Sequence, residues 1–269
     1  MPLFLHLHPD GIAQAVLGSV LLVSFSAMAL NGSRPTPLPK RRAVKAVLAT
    51  TAANAVTPAG LGGAALMLRL HKRSGLTAEQ ATAATALRTA FAALASLATA
   101  CVAAGTVGSQ HLPTRSAGLA GLVLLAAALV VASVPSLRGR VLAAVRRLTA
   151  AFVDVLRRPR CLASLVVGCA GVVIAQVLTL QGAVSAVGGH LPWPELLAAL
   201  VGSAAARSAV PSPGGVGPIE AALVGGLTTM GMGLGAASVA VMIYRTAGHW
   251  LPVGGGVLSA RALRARALL

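Results

Sequence analysis

The chain has 269 residues, 56% hydrophobic and 10% charged, with a formal net charge of +17 and a mean hydropathy of +0.83. A soluble domain carries about 25% charged residues, so most of this chain avoids water. The positive charge lies in short loops between apolar runs, which fits the positive-inside pattern and argues against nucleic acid as a partner.

In chain order, the first ten residues lack a basic n-region, so no cleavable signal peptide is expected. The pair His6 and His8 is too isolated to suggest a metal. Residues 12–30 (IAQAVLGSVLLVSFSAMAL) form the first run long enough to cross a bilayer, which takes about 20 apolar residues. The loop NGSRPTPLPKRR follows. The apolar region 43–68 is broken at Thr57–Gly63 (TPAGLGG) and flanked by Lys40-Arg41-Arg42 and by Arg69, Lys72 and Arg73. Two basic ends on one side of the membrane predict a re-entrant hairpin. Residues 77–104 form a second span and 116–134 a third; the latter has no polar face that would suit a soluble bundle. In 138–158, Val141, Val145, Leu148, Phe152 and Val155 share one helical face against arginines, the pattern of an interfacial helix on an anionic leaflet. A fourth span is 161–187. A second broken region, 194–231, is interrupted by PSPGGVGPIEAAL (211–223), and 236–258 is the fifth span.

Of the 22 Lys and Arg, five lie in 31–45, three in 69–73, seven in 135–160 and three in 261–266. Putting those clusters in the cytoplasm starts the N-terminus outside, ends the C-terminus inside and enters the two hairpins from opposite sides. Cys161 and Cys169, eight residues apart on one helix, are separated by about 12 Å and too far to bridge. No Cys/His cluster suggests a metal, and no cofactor is expected.

The broken regions resemble each other. PAGLGGAAL (58–66) aligns with PGGVGPIEA (213–221), and ALRTA (86–90) follows the first as YRTAG (244–248) follows the second. The fold expected is a single all-α polytopic membrane domain over 1–269, with five full spans and two re-entrant hairpins. It divides into repeat 1 (about 12–104), a linking span and interfacial segment (116–160) and repeat 2 (about 161–258), the repeats inverted. Backbone leaves a helix within the membrane only where protein or a wet cavity covers it, and transporter sites lie at such breaks. Gly217 suits a cap, Pro218 the first helical position and Glu220 the third. Arg88, Arg207 and Arg245 lie within apolar segments, where charge by default suggests function. Glu220 with Arg245 or Arg207 is the expected pair; the alternative is a cap reaching back to the Gly217 N–H.

Asn54 with Pro58-Ala-Gly60-Leu-Gly62-Gly63, Pro213-Gly214-Gly215-Val-Gly217 with Glu220, and Tyr244-Arg245 together resemble the flippase-like transmembrane region of lysylphosphatidylglycerol synthases, from about His8 to Ala265. That family often has an acid after the first Gly-Gly and an Arg three positions later; here they are Ala64 and Met67. Members usually have one more N-terminal span. The resemblance implies translocation of lipid between leaflets of the plasma (inner) membrane. It does not imply lysyl transfer, so no enzyme is expected. The named residues, with Arg88 and Arg207, are the expected contacts for an anionic head group. A small-solute secondary transporter, and a non-transporting membrane partner of a separate lipid-modifying transferase, are the alternatives.

Overall fold

The computed structural model describes residues 7–57, 61–107, 153, 157–209, 212 and 215–264. The expected span 116–134 and most of the expected interfacial helix 138–158 lie outside them. The elements are helices: α1 (Pro9–Gly32), α2 (Lys40–Val56), α3 (Leu61–Arg73), α4 (Ala78–Val107), α5 (Pro159–Ala186), α6 (Trp193–Ala209), α7 (Pro218–Thr229), α8 (Leu234–Arg245) and, after a π-helical turn at Thr246–Trp250, α9 (Leu251–Arg264). Among the described residues, Pro9–Gly32, Ala78–Ala103 and Pro159–Ala186 are long and apolar enough to cross a membrane. They match the expected spans 12–30, 77–104 and 161–187. The expected span 236–258 falls on the run α8–π-turn–α9. In that turn the Leu251 N–H bonds to Thr246 O, five residues back. Pro252 follows at once. A proline has no N–H to donate and its ring crowds the carbonyl four residues back, and the π-turn lies directly before that position.

The centre of the fold is the antiparallel pair α1 and α5. Small residues recur every three or four positions on both. Gly11 faces Gly182 and Ala186, Ala15 faces Gly182, Gly18 faces Thr179, Ala29 faces Gly168, and Gly32 faces Leu165. The approach is backbone to backbone: a Cβ on Gly182 would lie 2.7 Å from Gly11 O. Gln14 Nε2 donates to Gln181 Oε1 across the seam at 3.3 Å. The large apolar side chains of these helices point the other way. Leu17, Val20, Val166 and Ile174 are exposed while Gly11, Ala15, Gly18 and Gly182 are buried. Small residues inside and large apolar ones outside reverse the pattern of a soluble protein, and suit helices that pack in lipid by close contact.

The two broken regions each form a helical hairpin. In the first, Ala43 and Ala46 near the start of α2 share an apolar cluster with Leu70 near the end of α3. In the second, Gly226 near the end of α7 lies against Ala199 in the first half of α6. Each hairpin also packs on a helix of the other half. Gly256 of α9 approaches Leu48 and Ala52 of α2, while α6 packs on α4.

Gly182→Val is expected to lower stability by about 1–3 kcal/mol or more through overpacking of the seam. Gly254→Ala, where an added Cβ meets nothing within 4 Å, is expected to be neutral or slightly stabilising. Thermal unfolding of the two variants in detergent checks both.

Candidate functional site

The second break converges on Glu220. α7 is capped by Gly217, whose φ of 97° and ψ of −72° lie where an L side chain is strained. Nothing lies within 4 Å of where its Cβ would stand, so backbone conformation rather than space requires glycine. Gly215, at φ 68°, turns the chain just before it. Pro218 then occupies the first turn, where the missing N–H costs nothing.

Glu220 lies in that first turn and uses both carboxylate oxygens. Oε2 accepts the Gly217 N–H at 2.7 Å, and Oε1 accepts the Arg245 Nε–H at 2.6 Å. Glycine has no side chain to return the bond, so this is half of a capping box. The sequence left open whether Glu220 would be a cap or the partner of an arginine; it is both. Arg245 ends α8, with its side chain 9% exposed against 31% for Glu220. Immediately after Arg245 the helix widens into the π-turn, a feature that often accompanies functional sites. Tyr244 is half-buried against the cluster of Leu196, Leu200, Leu223 and Val241.

The first break is closed differently. Asn54 Oδ1 of α2 accepts the Gly63 N–H at 2.8 Å, and Thr57 Oγ1 accepts the Gly62 N–H at 3.0 Å. Any side chain on Gly62 or Gly63 would overlap Thr57 or Asn54. The first N–H groups of α3 are thus satisfied by two neutral side chains, where those of α7 meet a carboxylate paired to a guanidinium. Thr57 was not among the expected site residues, although its position in TPAGLGG four residues before the start of α3 was a signal for it.

Arg88 does not join the Glu220 pair as a hydrogen-bond or ion-pair partner. It lies on α4 beside Cys169 of α5, next to the contact that Leu87 and Phe91 make with Leu165. Arg207 falls in the last turns of α6, and its side chain is outside the described residues, as are Pro58, Gly60, Pro213 and Gly214. Among the described residues no group of three or more His, Cys, Asp or Glu could hold a metal ion.

The family model described as the lysylphosphatidylglycerol synthase TM region matches residues 6–256. A search of the curated proteins finds no match.

Glu220→Gln keeps size and one acceptor but leaves Arg245 without its counter-charge. A loss of about 1–3 kcal/mol is expected, below the full cost of opening a buried pair because Glu220 is partly exposed. The double variant Glu220→Gln/Arg245→Gln should lose less than the sum of the two singles. Additive effects in the double-mutant cycle would show that the pair is not coupled.

Proposed function

This chain belongs to the lysylphosphatidylglycerol synthase transmembrane-region family and is a membrane protein; from that premise we propose that it carries an anionic lipid head group between leaflets. The observation that carries this reading is the Glu220–Arg245 pair at the start of α7, in an apolar chain, at a break in the helix. A phosphate has the same appetite as the Glu220 carboxylate for a guanidinium and a helix N-terminal N–H. An incoming head group would exchange with Glu220 on Arg245, and Glu220 would take up a proton or a cationic head group in return. Arginine outnumbers acid in these segments: Arg88, Arg207 and Arg245 against Glu220. That balance favours an anionic lipid as cargo.

An inverted repeat supports the reading. α1 through α4 recur in length and order as α5 through α9, each about 155 residues on. The lead helices α1 and α5 run antiparallel. The hairpin of each half packs on the last helices of the other, α2 on α9 and α6 on α4. A pseudo-two-fold axis in the membrane plane relates such halves in many transporters. On this reading both hairpins are re-entrant, the protein is in the plasma membrane with the N-terminus outside and the C-terminus inside, and no aminoacyl transfer is carried out by the membrane domain.

The test uses the full chain in phosphatidylcholine vesicles with a trace of fluorescent phosphatidylglycerol, bleached from outside by dithionite. Bleaching beyond the outer leaflet is expected. Arg245→Gln should slow it at least about tenfold, equivalent to about 1.4 kcal/mol on the barrier. Bleaching confined to the outer leaflet would reject translocation. Saturable solute uptake in the same vesicles would favour a small-solute transporter. Co-purification with a transferase, without lipid movement, would favour the non-transporting partner.

The topology has its own test. In a cysteine-free background, cysteines replacing Thr77 and His190, both exposed, should react with an impermeant thiol reagent from opposite sides. Labelling from one side only would remove the inverted repeat.

A further inference from the structure

A second set of arginines meets at the other end of the first hairpin, opposite its Pro/Gly break. A cavity of about 390 Å³ lies between the loop after α1, the first turn of α2, the end of α3 and Leu263 of α9. That volume is within the range of small-ligand pockets, about 300–1,000 Å³. Arg34, Arg42 and Arg73 line it, with Ser74 and Pro39, and among the described residues none that lines it is acidic.

Arg34 is the unusual member. It is 1% exposed, the largest of the fully buried side chains among the described residues. Its Nε–H donates to Thr36 O at 3.1 Å, its Nη2 to Ser74 Oγ at 2.8 Å and its Nη1 to His71 Nδ1. All three acceptors are neutral. His71, itself 1% exposed, has its pKa held down to about 4 by burial and then by Arg34 and Arg88. It is uncharged at neutral pH, as a ring nitrogen accepting from a guanidinium must be. Burial also lowers the pKa of Arg34. The three bonds fix the guanidinium in place and use three of its five N–H donors. They do not balance its charge, and a buried charge without a counter-ion is strongly disfavoured. A fixed, uncompensated guanidinium in the wall of a cavity with two more arginines is a site short of an anion.

We propose that this cavity binds a phosphate group, held by Arg34 and Arg42 and carried either by an anionic lipid head group or by a soluble phosphate. Phosphate fits better than a single carboxylate because several guanidiniums converge on the cavity and a phosphate presents oxygens to more than one of them. The site is separate from the Glu220–Arg245 pair and does not depend on lipid translocation. Bound phosphate would brace the hairpin base, since the cavity joins α2, α3 and α9.

The test is isothermal titration of the purified full chain in detergent with three probes: inorganic phosphate, dioctanoyl phosphatidylglycerol and dioctanoylglycerol. The variants are Arg42→Ala and Arg34→Gln. Arg42 is exposed, so Arg42→Ala should fold and carries the test even if Arg34→Gln does not. Gly254→Ala, where an added Cβ meets nothing within 4 Å, serves as the control. A tenfold or greater weakening in Arg42→Ala but not in Gly254→Ala is the expected result. Weakening of the inorganic phosphate titration identifies a soluble phosphate. Weakening with phosphatidylglycerol alone, and no binding of dioctanoylglycerol, identifies a lipid head group. Affinities for both phosphate probes that Arg42→Ala leaves unchanged, or no binding of either by the unmodified chain, would overturn the proposal.

Discussion

A helix that starts inside an apolar region begins with N–H groups that lipid cannot satisfy, and each one left unpaired is costly. The chain meets that requirement twice with different chemistry. Asn54 and Thr57 reach forward from α2 to Gly63 and Gly62. Glu220 reaches back from within α7 to Gly217. Two neutral side chains cap without adding charge. A carboxylate caps and brings a charge that must itself be balanced, which is why Arg245 is drawn in from α8. The related breaks are therefore chemically unequal, and only the second carries a charged pair among the described residues.

Two kinds of arginine follow from the same logic. Arg245 has a carboxylate partner at 2.6 Å. Arg34 has neutral partners and an adjoining cavity. Coulomb attraction stabilises the first from within the chain. The second is held in geometry by hydrogen bonds to neutral groups that leave its charge unbalanced. Arg88 stands between these cases, beside Cys169 and near enough to His71 to disfavour its protonation.

Long spans were legible because apolarity over 20 or more residues has few other uses: α1, α4 and α5 begin and end within three residues of the runs read from the sequence. The cap at Gly217 was legible because glycine, proline and glutamate at those offsets each answer a separate backbone demand. Arg245 as the partner was not, since spacing leaves both Arg245 and Arg207 open and only the packing of α8 on α7 brings the Arg245 guanidinium to Glu220. Arg34 was hidden because the positive-inside rule accounts for every basic residue in its loop, so a buried one among them leaves no trace. The π-turn was hidden too: Pro252 signals trouble in a helix but not whether the chain kinks or widens.

The glycine seam between α1 and α5 joins segments more than a hundred residues apart in the chain. During synthesis α1 enters the membrane long before α5 exists. Its narrow, small-residue face waits through that time for the α5 surface it meets in the finished fold, and such a face is suited to close approach by any helix with a matching groove. The seam that α1 forms in the finished fold is therefore completed only when α5 arrives. Assembly of the molecule is thus limited by contacts of high sequence separation, and quality control in the cell would meet the half-made chain as an exposed helix face rather than as a misfolded core.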